Sequence, residues 1–203
     1  MAARKVLIVG ASGGVGGALL KQLLSTSNPP SIRVSTRSLG KATFPSTVEV
    51  VQGDLEDPSS YPRLLKGIDR VFMYANSQAP LQQLLSAAKD GGVQYIVLLS
   101  SMTVEFAPES SIGKKHLTIE DAVKESGIAY TFLRPRNSAS NSRLFWAPIV
   151  EKTAKLWITF PNSHTAPVSE HDIVSETVVF ISIQFPSRET ASSRSNRYLQ
   201  LYL

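Results

Sequence analysis

Short runs of apolar, largely β-branched residues alternate with longer stretches whose apolar positions recur at helical spacing, from the N-terminus to about residue 134. The runs predict strands at Lys5–Val9, Ile32–Thr36, Val48–Gln52, Arg70–Tyr74, Tyr95–Ser100 and Tyr130–Arg134. Between them, helices are predicted near Gly14–Ser25, Tyr61–Lys66, Ala79–Gly91 and Gly113–Ser126. The strand runs are apolar throughout rather than alternating, the pattern of strands covered on both faces. Strand–helix alternation of this kind needs crossover connections, so the expected fold is α/β with a doubly wound parallel sheet.

After Arg134-Pro135 the rhythm changes. A helix is expected at Leu144–Lys155, then a short strand at Leu156–Thr159. A further helix, Glu170–Ile183, opens after Ser169, with Glu170 and Asp172 in its first turn. Residues 186–197 are polar and serine-rich and read as loop, and Tyr198–Leu203 reads as a closing strand. No internal repeat is present, and the 203 residues fit one domain.

Composition narrows the chemistry. The chain has no cysteine, which excludes disulfides, zinc–thiolate sites and thiol nucleophiles. His164 and His171 lie far along the chain from His116, and no metal site is expected. The apolar run Val6–Val9 is too short for the core of a signal peptide, and no stretch approaches the roughly 18 uninterrupted apolar residues of a membrane helix. A soluble, cytoplasmic protein without a membrane partner is expected. The net charge of +5 comes from scattered residues (Arg4, Lys21, Arg33, Lys66, Lys89), so there is no footprint for nucleic acid.

The first strand runs into Gly10-Ala11-Ser12-Gly13-Gly14-Val15-Gly16, followed by a long helix. Gly10 suits the tight turn, Gly13 lets bare backbone approach a pyrophosphate, and Gly16 lets the helix pack close to the strand. The backbone N–H groups from Ser12 to Gly16 would face the anion at the positive end of the helix dipole. At the end of the second strand, an acidic residue about twenty positions past the glycines would favour NAD. Arg37 stands there instead, followed by Lys41; a guanidinium there matches the 2′-phosphate of NADPH, unless it is simply a solvent-facing loop residue. Asp54 is placed to accept from the adenine amino group, with Leu55 against the ring, or else to cap the next helix. Ala75 and Asn76, after the fourth strand, leave room for cofactor.

These residues, with Ser35-Thr36-Arg37, Gly53-Asp54-Leu55, Leu99-Ser100-Ser101, the stretch Ser126-Gly127-Ile128-Ala129-Tyr130-Thr131-Phe132-Leu133-Arg134-Pro135, Ala166-Pro167-Val168 and Asp172-Ile173, resemble the NmrA-like group of atypical short-chain dehydrogenases. The resemblance implies a Rossmann-like domain binding NADP(H), with residues 1–135 as the dinucleotide-binding core and 136–203 as a shortened substrate-side region. Relatives of this kind divide between reductases of quinones, imines or enones, some in secondary metabolism, and redox sensors that bind cofactor without turnover.

Ordinary short-chain dehydrogenases carry Tyr-x-x-x-Lys after the fifth strand. In this alignment Ile112 stands where the tyrosine would, and His116 where the lysine would. His116 and Glu120 share a helical face, either as a functional pair acting on the cofactor ribose or a proton, or as a structural surface pair. Ser100 and Ser101 would face nicotinamide or substrate, or form a plain strand-end turn. Asn137 is placed near the nicotinamide. Phe145, Trp146, Trp157 and Phe160 either line an aromatic substrate pocket or belong to the core. NmrA-like chains usually continue past a strand like Tyr198–Tyr202, so the cleft is expected to be open, or completed by a second subunit or protein partner. Two functions follow: an NADPH-dependent reductase delivering hydride to a carbonyl, quinone or enone of a small molecule, or a non-catalytic NADP(H) sensor acting through a protein partner.

Overall fold

The computed structural model describes residues 4–40, 43–74, 76–136, 138–157, 167–182 and 197–199. Its strands are β1 (Lys5–Val9), β2 (Ser31–Thr36), β3 (Glu49–Gln52), β4 (Arg70–Tyr74), β5 (Tyr95–Leu99), β6 (Ala129–Leu133) and β7 (Arg197–Leu199). They form one parallel sheet in the order β3-β2-β1-β4-β5-β6-β7. The helices are α1 (Gly14–Leu24), α2 (Tyr61–Leu65), α3 (Leu81–Asp90), α4 (Thr103–Phe106), α5 (Ser111–Glu125), α6 (Ala139–Thr153) and α7 (Glu170–Ser182). The chain leaves β1 towards β2 and later returns to its other side as β4. The sheet therefore reverses direction at β1, and the crevice above that point is where such sheets seat ligands.

Successive side chains of a strand point to opposite faces, and β1 serves both layers. Leu7 and Val9 join a core with Leu64, Leu84, Leu85, Ile119 and Val123 from α2, α3 and α5. Val6 and Ile8 join a second core with Leu19, Leu23, Ile173 and Phe180 from α1 and α7. This two-sided burial is why β1 and β5 are apolar almost throughout. In β2, by contrast, Ile32 and Val34 of the second core alternate with the polar Arg33 and Ser35. The expected doubly wound, Rossmann-like sheet is the observed one.

Two of the basic residues scattered along the sequence are not surface charges. Arg33 of β2 is buried, and its Nη1 donates to the carbonyls of Arg63, Leu64 and Lys66 at 3.1, 2.9 and 3.0 Å. Its Nη2 meets Glu49 at 2.9 Å, so it caps the negative end of α2 while keeping a counter-ion. Arg70 of β4 likewise donates to the Phe180 carbonyl at 2.7 Å near the end of α7. Burial lowers the Arg70 guanidinium to about 10.

The C-terminal third departs from the sequence expectation in three places. The helix expected at Leu144–Lys155 already begins at Ala139. The polar run Ser138–Ser142 reads as loop because it carries no apolar period, yet Ser138 has the extended conformation of a helix-preceding residue and Ala139 N–H bonds to the Val168 carbonyl. Leu156 and Trp157 are not in a strand, and Thr159 lies outside the described residues. The aromatic residues Phe145, Trp146 and Trp157 are exposed rather than core, with Leu144, Ile149 and Val150, and Phe160 lies outside the described residues. The helix expected after Ser169 is present, and Ser169 Oγ accepts from Asp172 N–H at 3.1 Å as its cap. Short α4 was not expected.

Candidate functional site

The loop from β1 into α1 is shaped by two glycines. Gly10 has φ +79°, a left-handed conformation that other residues adopt only with strain. A Cβ built on Gly16 would stand 2.3 Å from the Gly10 carbonyl oxygen and 2.7 Å from its carbon. The turn closes with Gly13 N–H on that same oxygen at 2.9 Å. Gly14 and Val15 open α1 directly behind it.

The helix start is open to an anion. In α5, Ser110 accepts from Gly113 N–H at 3.0 Å, and in α7 Ser169 caps the first turn. At α1 the capping position is Gly13, no side chain bonds to the first turn, and no acidic residue stands in it. Its N–H groups are left for a ligand. The residues present fit a dinucleotide phosphate on that ground.

A cavity of about 400 Å³ opens beside this turn, lined by Val9, Gly10, Ser12, Ser35, Thr36, Arg37, Ser38, Gly53, Asp54, Leu55 and Tyr74. Five of the residues expected to hold cofactor (Gly10, Ser12, Arg37, Asp54 and Leu55) are thus brought to one space. Arg37 is exposed, and its guanidinium has no hydrogen bond or ion pair to another described residue. Asp54 accepts from Glu56 N–H at 3.1 Å, an Asx turn that leaves its second oxygen uncommitted. Asn76 donates to Glu56 at 3.2 Å and accepts from Gln78 N–H at 3.0 Å, so its amide shapes its own turn. Lys41, Ala75 and Asn137 lie outside the described residues.

Tyr74 carries no local sequence signal for a place in the site. Its ring would lie 3.2 Å from a Cβ on Gly10, so it packs on the glycine turn and walls the cavity. The pairing Ile8↔Phe72 across β1 and β4 places Tyr74 opposite Gly10, two residues further on.

A second group forms where β5 and β6 end against α5. Glu120, fully buried, takes a two-point salt bridge from Arg134: Nε to Oε1 at 2.9 Å and Nη2 to Oε2 at 2.5 Å. Ser100, also buried, donates to Glu120 Oε1 at 2.6 Å. Its oxygen in turn lies 3.4 Å from His116 Nδ1. His116 and Glu120 are therefore linked through Ser100, and the direct partner of Glu120 is Arg134, a residue the sequence offered only as part of a motif. Burial pushes the His116 imidazole below its ordinary value, with the Glu120 charge partly opposing. Ser101 takes no part in this group; its oxygen accepts from Thr103 N–H at 3.2 Å and from the Thr103 hydroxyl at 2.9 Å.

The hydrogen-bond directions follow from the ions. Glu120, paired with a guanidinium, can only accept, so Ser100 gives it the hydroxyl proton. Ser100 then offers lone pairs alone, and His116 must carry its proton on Nδ1 to meet them. This leaves Nε2 as an acceptor. His116 also lines a smaller cavity of about 210 Å³ together with Ser77, Ile112, Lys115 and Ile119.

A family model described as NAD(P)H-binding matches residues 10–143. Among curated proteins, (4-alkanoyl-5-oxo-2,5-dihydrofuran-3-yl)methyl phosphate reductase of Streptomyces griseus is 32% identical over 181 residues, covering 87% of this chain and 63% of that protein. An NAD(P)H azoreductase of Xenophilus azovorans is 26% identical over 179 residues, covering 85% and 62%. This chain thus spans less than two thirds of either relative. Among solved structures, the NADPH complex of an NADPH-dependent quinone oxidoreductase from Escherichia coli superposes with a TM-score of 0.75 at 23% identity, covering 89% of this chain and 65% of that one. Among the described residues, no helix is long and apolar enough to cross a membrane, and no group of three or more His, Asp or Glu side chains could hold a metal.

Proposed function

The chain belongs to the NAD(P)H-binding family, and from that membership we propose that it is an NADPH-dependent reductase acting on a carbonyl, quinone or enone group of a small molecule. The observation that carries this reading is the cavity at the glycine turn, with a helix start that no side chain caps and, in its lining, Arg37, whose guanidinium has no partner among the described residues. The relatives named as reductases support the same direction.

When bound, NADPH supplies the hydride. The chain's own part is to hold and exclude. Ser12 and the N–H groups of Gly14, Val15 and Gly16 would face the pyrophosphate; Arg37 would take the 2′-phosphate; Asp54 and Leu55 would take the adenine end. Ser100 and Glu120 fix His116 so that Nε2 can accept from a ribose hydroxyl or the carboxamide.

The test is loss of absorbance at the reduced nicotinamide band with a panel of quinones, enones and simple carbonyls. Turnover of at least one class is expected. Arg37→Asp should weaken NADPH about ten- to a hundredfold, the worth of a charged hydrogen-bond contact, and leave NADH little changed. Tight NADPH binding with no turnover on any class would overturn the reductase reading. A second reading, an NADP(H) sensor acting through a protein partner, is favoured by two features: Ile112 stands where a phenolic acid would, and the Ser100 proton is already given to Glu120.

A further inference from the structure

The smaller cavity lies along one face of α5. Ile112, Lys115, His116 and Ile119 are spaced three and four apart, so all four project to the same side, and Ser77, from the segment after β4, completes the lining. At about 210 Å³ it falls short of the roughly 300–1,000 Å³ of pockets for larger ligands and suits a single ring. Two isoleucines provide an apolar wall. The polar groups are one hydroxyl, one imidazole and one ammonium.

Reduction of a conjugated carbonyl puts negative charge on its oxygen, and something must meet that charge. Ser100 cannot, because its proton is directed at Glu120 at 2.6 Å. His116 offers only an acceptor there, because with the Ser100 proton given to Glu120 the tautomer that bonds Ser100 is the Nδ1–H form, which leaves Nε2 bare. Burial keeps the ring neutral at neutral pH, against the opposing pull of Glu120. Lys115 remains. Its neighbour Lys114 is tied to Glu109 at 3.1 Å, whereas the Lys115 ammonium has no ion pair or hydrogen bond to another described residue.

We propose that this cavity binds the oxygen end of a planar conjugated carbonyl compound and that the Lys115 ammonium recognises the oxyanion of its reduced form. The ligand class is therefore a single-ring quinone or enone, bound most tightly as phenolate or enolate. Its meaning as a substrate site rests on the reductase reading, but anion binding can be measured without turnover.

The probe is para-nitrophenol, whose phenolate has its own absorbance band, titrated into the NADP-loaded protein. The wild type should bind it as phenolate. Lys115→Met should lose about ten- to a hundredfold in affinity, the range for a charge-assisted hydrogen bond, while Lys115→Arg retains most of it. Lys114→Met, which removes the same charge from the adjacent position, should bind like wild type. NADPH affinity should be unchanged in Lys115→Met. No phenolate binding by the wild type, equal losses in the two methionine variants, or a matching loss of NADPH affinity in Lys115→Met would each overturn the proposal. The last of these would make Lys115 a cofactor clamp. The two readings fail separately. Lys115-dependent phenolate binding without turnover of any quinone leaves the anion site standing and removes the reductase. Equal quinone reduction by wild type and Lys115→Met does the reverse.

Discussion

A methyl group at Gly16 would sit 2.3 Å from the Gly10 carbonyl oxygen, far inside van der Waals contact, and the obstruction is backbone that no side-chain rotation can move. Gly16→Ala must therefore push α1 away from the turn that aims its N–H groups. At least a tenfold loss of NADPH affinity is expected in titrations, with the helix content in circular dichroism largely retained. Glu120 is exposed to a different penalty. Glu120→Gln leaves the Arg134 guanidinium, mostly shielded from solvent, without its carboxylate, and removal of one partner from a buried pair costs about 3–5 kcal/mol. A denaturant titration should show it as a lowered midpoint with an unchanged slope. His116 supplies a pH dependence. Its folded pKa is below the ordinary 6.5, so the unfolded chain binds the proton more readily. Stability is then full above the ordinary value and falls as pH drops from there towards the folded pKa. His116→Gln should flatten that part of the stability–pH curve; an unchanged slope would mean that the ring is not desolvated as described.

At the scale of elements, α6 ends at Ala154, which takes a left-handed conformation with φ 53° and bonds its N–H to the Val150 carbonyl at 2.7 Å. An alanine in that region costs about 1–2 kcal/mol, and glycine adds about 0.4–1 kcal/mol of unfolded-chain entropy. Ala154→Gly should therefore stabilise by about 0.5–1 kcal/mol, measurable as a rise of a few degrees in the melting temperature. How legible an element was follows from where its information lies. β1, β4, β5 and β6 were readable because burial on both faces demands largely apolar runs, and β2 because Ile32 and Val34 alternate with polar residues. The start of α6 was not, since Ala139–Arg143 has no apolar period and its anchor is the Val168 carbonyl, far along the chain. The same division applies to the site. The glycine turn and Arg37 are local patterns. The Arg134–Glu120 bridge depends on how α5 folds back on β6, and the seat of Tyr74 against Gly10 depends on strand register, neither of which local spacing encodes.

For the molecule as a whole, the cavity beside the glycine turn sits where the two cores meet, since its lining combines Val9 and Leu55 from one layer with the turn into α1, which belongs to the other. A ligand held there contacts both layers and binds only the folded chain. At a hundred times its dissociation constant such a ligand adds about 2.7 kcal/mol of stability. A protein of this size gains roughly 2–4 °C in melting temperature for each kcal/mol. NADPH should then raise the melting temperature by about 5–10 °C. If Arg37 meets the 2′-phosphate, NADH at the same concentration should give a clearly smaller rise, and in Arg37→Asp the advantage of NADPH should disappear. Equal rises with NADPH and NADH in the unmodified protein would show that the guanidinium contributes no discrimination, because two ligands stabilise a fold equally at equal concentration only when they bind it equally well.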